Sequence, residues 1–195
     1  KFLDQYAENS EIIRRDHADE IEYKGDHYLV VTHEGCLPYV APLIEWKRKS
    51  GYKVDILSIP NNISRDPEQI KPLIQERYDA YLEDGVDPFD QLLLIGDRSG
   101  YVWTGPGPWQ LEAERGESIW GGGASHADYK YALLEGDDNY PDVGFARFCA
   151  GSQETMELFV RRTIAYEAEP YMDETEWFTR GGVYSQHWGN MENHS

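Results

Sequence analysis

The chain has 195 residues, 40% of them apolar or aromatic, and 36 acidic against 18 basic side chains give it a formal net charge of −18. A chain of this length and composition can bury one good core, and its charge excludes nucleic acid and anionic membrane surfaces as partners, because both would repel it. The acidity fits a soluble secreted protein, a saline habitat or a cation-binding surface, and all three stay open.

Residues 1–22 are polar, with Phe2, Leu3, Tyr6, Ile12 and Ile13 at loosely helical spacing, which predicts an N-terminal arm. The domain proper is expected over residues 23–185. Its first strand is marked by Tyr28-Leu29-Val30-Val31, a continuous apolar run of the kind that is covered on both faces. Pro38 to Lys49 carries Val40, Leu43, Ile44 and Trp46 on one helical face, and Gly51 follows a basic last turn. Tyr52 to Ile59 alternates like a strand. Asp66-Pro67-Glu68 then opens a second helix as N-cap, first-turn proline and first-turn acid, with Ile70, Leu73, Ile74, Tyr78 and Tyr81 as its apolar stripe.

Leu92 to Gly96 reads as a third inner strand, ending at Asp97. Strands alternating with helices across short turns predict an α/β fold of three layers, a mostly parallel sheet with helices on both faces. The regular pattern lapses over 99–127, a glycine- and proline-rich stretch holding Trp103, Trp109 and Trp120. It starts at the carboxyl end of a parallel strand, where open α/β sheets hold their ligands.

Asp128 to Phe148, DYKYALLEGDDNYPDVGFARF, predicts a hairpin-like unit: a strand through Tyr129, Tyr131 and Leu133, a Gly-Asp-Asp-Asn turn, and a second strand from Val143. It would hold Asp128, Asp137, Asp138 and Asp142 close together, as a solvated acidic turn, a calcium site or the rim of a cleft. Ser152 to Glu167 is a capped helix with Met156, Phe159, Val160, Thr163, Ile164 and Tyr166 inward, and Glu176 to Ser185 is expected to be a last strand. Residues 186–195 form a polar tail.

Several chemistries fail at the residue level. The junction THEGCLPY lacks the glycine pattern of a dinucleotide site, and Gly105-Pro106-Gly107-Pro108 lacks the lysine of a phosphate loop. His187 and His194 are too far apart for a short-spaced zinc pair, and His126, two residues before Asp128, reads as a solvent-facing side chain rather than half of a ligand pair. Cys36 and Cys149 are expected as thiols rather than a disulfide, with Cys149 packed behind its strand and not a nucleophile. No run of about 18 apolar residues predicts a membrane span. No basic-then-apolar leader opens the chain, which leaves its compartment open.

In combination, YLVVTHEG, LIEWKRKSGYKVDI, DQLLLIGD, ADYKYALLEGDDNYPDVGFARF and the helix end TIAYEAEP resemble the gingipain peptidase family, which shares the caspase-like fold. The resemblance runs from about residue 26 to 185 and implies the first of two α/β subdomains of a secreted cysteine endopeptidase. The family's catalytic histidine, in a His-Gly motif, and its strand-end cysteine have no counterpart here, so no catalytic residue is assigned. A family carboxylate is expected near 186–189, where this chain has Gln-His-Trp-Gly. The resemblance therefore implies that the rest of the catalytic domain is a partner and that peptides or proteins are the whole protein's substrate. A catalytically silent scaffold or secretion component is the alternative. The family also implies bound calcium, for which Asp97, Asp137 and Asp138 are the candidate ligands.

Overall fold

The computed structural model describes residues 26–60, 66–97, 111–113, 115–116 and 125–182. The N-terminal arm, the polar tail with His187 and His194, and most of the 99–127 stretch with its three tryptophans lie outside the described residues.

In chain order the elements are β1 (His27–His33), α1 (Leu37–Lys49), β2 (Lys53–Ile59), α2 (Pro67–Glu83), β3 (Gln91–Ile95), β4 (Arg115–Gly116), β5 (Ser125–His126), β6 (Gly144–Phe148) and α3 (Gln153–Ala168). Strands β1, β2, β3 and β6 make one four-stranded sheet in the order β2-β1-β3-β6, and every pairing is parallel. The register sets Val30 beside Ile56 and Leu93, and Leu93 beside Ala146. Strands β4 and β5 form a small antiparallel ribbon.

The apolar runs at β1 and β3 are explained by burial on both faces. Leu29, Val31, Leu92 and Leu94 face α2, packing with its Ile70, Ile74 and Tyr78. Val30, Leu93 and Ile95 point the other way, against Val40, Leu43 and Ile44 of α1 and Met156 and Val160 of α3. Two helices therefore cover one face. On the other, α2 shares the cover with a chain segment through Leu111, Tyr131, Ala132 and Leu134.

The helix ends follow their chemistry. Asp66 caps α2 by accepting from the Glu68 N–H, and Ser152 caps α3 by accepting from the Thr155 N–H. Pro42 and Pro72 are each the sixth residue of their helix, just past the first turn, and each removes one helical N–H donor.

Four expectations are corrected. Asp128–Ala132 is a 3-10 helix, not a strand, because Tyr131 and Ala132 are both buried against α2 instead of alternating between faces. The unit is not a hairpin either, since β6 pairs parallel with β3 and the acidic turn is the end of a crossover. At the C-terminal end, Glu176–Thr179 is a 3-10 helix in place of a strand, and Tyr166 is 59% exposed rather than inward. The remainder of that expected strand, from residue 183, lies outside the described residues.

Candidate functional site at the carboxyl edge of the sheet

Helix α1 carries the chain from β1 to β2 on one face, and α2 carries it back over β1 to β3 on the other. The switch point is therefore the crevice between the carboxyl ends of β1 and β3, the usual ligand position in an open parallel sheet. Three strand ends meet this edge. His33 closes β1, buried to 4% exposure, and its Nδ1 accepts from the Gly35 N–H at 3.3 Å to start the turn Glu34–Cys36. Gly96, at φ 142°, lets β3 bend sharply into Asp97. Cys149, Ala150 and Gly151 follow β6 and lead into the capped start of α3.

Arg147 organises this edge. Its Nε and Nη2 donate to the two carboxylate oxygens of Asp128 at 2.7 and 2.8 Å, while Nη1 donates to the carbonyls of Gly96 at 3.0 Å and Leu111 at 2.7 Å. Its side chain is only 6% exposed, so the paired carboxylate is what makes the burial of this charge tolerable. The Leu111 N–H also donates to the Asp97 carbonyl at 2.7 Å, so the chain leaves the sheet at Asp97 and returns beside it at Leu111. Tyr131, fully buried, donates from its hydroxyl to the Glu112 carbonyl at 2.7 Å and holds the same return strand.

Asp97 lies against Gly151, where a Cβ would come within 3.3 Å of the carboxylate Oδ2. Glycine at 151 thus leaves room for the aspartate at the base of the crevice. Cys149 is exposed, not packed as expected, and Cys36 is buried; neither is in a disulfide. Their chemistry differs accordingly. Cys149 stands two strands from the end of β1, about 10 Å from the backbone that bears His33.

Asp137 and Asp138 sit at the other edge of the sheet. The turn that holds them precedes Gly144, which pairs with Gln91 at the start of β3, whereas Asp97 follows the end of that strand. Five-residue strands separate the two edges by roughly 16 Å, so Asp97 cannot share one ion with Asp137 and Asp138. Within the turn, Asp142 Oδ2 accepts from the N–H groups of Leu134 at 2.6 Å and Glu135 at 2.8 Å, and Asp138 Oδ1 accepts from Tyr140 N–H at 2.8 Å. Helix α2 grips its approach: Lys71 donates to the carbonyls of Tyr131 and Leu133, Gln75 to that of Leu134, and Tyr78 to the Glu135 carboxylate. Burial and the adjacent Glu135 raise the Tyr78 pKa.

Calcium takes about six to eight oxygen ligands. Among the described residues no three or more His, Cys, Asp or Glu side chains are grouped to hold a metal. At the turn, one carboxylate oxygen of Asp138 and one of Asp142 accept from backbone N–H groups. Asp97 supplies a single carboxylate, and the residues that directly follow it lie outside the described ones.

With this geometry in place, the chain can be set beside known proteins. Residues 22–193 match the family model of peptidase family C25. The chain belongs to that family. Three solved structures share its fold. A protease structure aligns with TM-score 0.59 at 21% identity, over 80% of this chain and 31% of that one. The complex of Porphyromonas gingivalis RgpB pro- and mature domains aligns with TM-score 0.55 at 21% identity, over 72% and 29%. The Arg-specific cysteine proteinase gingipain R aligns with TM-score 0.56 at 20% identity, over 75% and 29%. The C25 chain described here thus spans less than a third of each. No curated protein matches it.

The sequence places Asp97 at the end of β3 and singles out neither His33 nor Arg147. His33 carried a signal, being a polar residue continuing an apolar strand into its turn. Arg147 stood only as part of the GFARF strand motif, because its partners at positions 96, 111 and 128 come together only in the folded crossover.

Proposed function

We propose that this chain is the first α/β subdomain of a secreted gingipain-like cysteine endopeptidase whose catalytic cysteine and histidine lie beyond this sequence. The observation that carries the reading is the C25 match over residues 22–193 in a chain spanning about a third or less of its structural relatives. In such an enzyme the thiolate attacks the scissile carbonyl and the histidine carries its proton to the leaving amine. This subdomain's part is to supply a rigid parallel sheet against which the rest of the domain is built, with peptides or proteins as substrate. Calcium at Asp97 belongs to the same proposal. Asp137 and Asp138 would form a second, separate site.

The test is to express this chain joined to the sequence that follows it in its gene and assay peptide hydrolysis under reducing conditions. Thiol-dependent turnover that disappears on replacing a cysteine outside residues 1–195 supports the endopeptidase. A folded but inactive product, with no His-Gly motif or strand-end cysteine in the added sequence, supports the silent scaffold instead. Calcium is tested by thermal melting with the ion and with chelator on wild type, Asp97→Asn and Asp138→Asn. Bound ion raises the melting temperature only where its ligand is intact, and identical melting throughout would remove calcium from the account.

A further inference from the structure

The last turn of α3 and the chain that follows it present an aromatic shelf that does not pack on the sheet. Tyr166, Tyr171, Met172 and Phe178 are 52% to 59% exposed, although each carries a large apolar surface. The shelf is built rather than loose. Trp177 stacks on Phe178 with ring centroids 3.8 Å apart, leans on Tyr166 at 5.8 Å, and donates from its indole N–H to the Tyr171 carbonyl at 2.9 Å. Contiguous exposed apolar surface of this kind marks an interaction site.

Its rim says what kind of partner fits. Glu169, Asp173 and Glu174 are exposed on the same stretch of chain as the rings, and Arg180, the one cation between residues 166 and 180, is paired with Glu176. A second copy would bring the same acidic rim and a further charge of −18, and an anionic membrane would be repelled as well. A guanidinium meets both demands, since it stacks flat on aromatic faces and pairs with carboxylates in a fork. We propose that the shelf over residues 166–178 docks an arginine-bearing polypeptide segment of a partner. The shelf follows α3, whose last turn is held beside the end of α1 by Glu167. That places it by the amino edge of the sheet, away from the crevice at Asp97, and the inference does not depend on the peptidase reading.

The test uses the 195-residue chain and three fluorescently labelled ten-residue peptides, in which glycine alternates with arginine, lysine or glutamate. Binding is read by anisotropy at low and moderate salt. The arginine peptide is expected to bind at least fivefold more tightly than the lysine peptide, and the glutamate peptide not at all. Phe178→Ser and Tyr166→Ser, at exposed positions, are each expected to weaken the arginine peptide at least fivefold while leaving the melting curve in place. Asp173→Asn with Glu174→Gln should weaken it without changing the preference for arginine over lysine. Equal binding of the two basic peptides, or arginine binding untouched by both serine variants, would reduce the effect to general charge attraction and overturn the proposal. Absence of binding, or self-association through this surface, would overturn it too.

Discussion

Arg147 shows how much one side chain holds in this molecule. Its guanidinium, 6% exposed, satisfies two carbonyls and one carboxylate that the sequence scatters over more than thirty positions. Arg147→Met removes every one of those bonds and leaves Asp128 facing the gap, so unfolding free energy should fall by about 3 kcal/mol. Asp128→Asn keeps an acceptor and should cost less. Urea denaturation measures both, and equal effects would mean that the carboxylate pairing rather than the carbonyl contacts carries the stabilisation. His27 is the second case. Burial, aided by neighbouring Lys53, lowers its pKa, while Asp55 and Asp90 work in the opposite direction. The unfolded chain then binds the proton more readily than the folded one. Stability from this group is complete above its ordinary value of 6.5 and is lost as pH falls below it. Tyr81 and Asp55 line the same pocket, and Lys53 lies over the Tyr81 ring. His27→Gln should therefore flatten the fall in urea midpoint between pH 7.5 and 5.5, and an unchanged slope would assign that fall to other groups.

At the scale of elements, the strands covered on both faces and the capped helices were legible in the sequence. Their signals are local: the run at Tyr28–Val31, the Asp66-Pro67 start, the Ser152 cap. Asp128–Ala132 was misread because tyrosines at 129 and 131 imitate strand alternation, while a crossover packing against α2 buries Tyr131 and Ala132 side by side. Strand β6 was also read correctly as a strand but given the wrong neighbour, since direction of pairing is not written in five residues. Contacts between helices were beyond the sequence altogether. Glu167 near the end of α3 accepts from the Trp46 indole N–H and the Lys47 ammonium of α1, each at 2.7 Å. Burial works against the Lys47 charge, but Glu167 and Tyr28 outweigh it and raise its pKa. Glu167→Ala unlatches the two helices, with an expected loss of about 1 kcal/mol in unfolding free energy. Glu167→Gln should keep part of that, because its amide oxygen still accepts from the indole. If alanine and glutamine variants match wild type, packing of Val40, Leu43, Met156 and Val160 alone joins the helices.

For the whole molecule, the parallel direction of the sheet followed from the alternation of strands and helices and the C25 membership from motifs in combination, but the strand order did not: Val54–Ile59, expected as an inner strand, belongs to β2, which stands at one end of the described order β2-β1-β3-β6. The candidate site was only partly legible, because it is assembled from three strand ends and a crossover far apart in sequence. The central claim is that this chain supplies the frame of a cysteine peptidase without its nucleophile. The most direct measurement is hydrolysis of a panel of fluorogenic peptides by the purified 195-residue chain, wild type and Cys149→Ala, under reducing conditions with calcium present. The account predicts no turnover by either protein while both melt cooperatively. Turnover by wild type that vanishes in Cys149→Ala would contradict it and make the exposed thiol at the end of β6 the nucleophile.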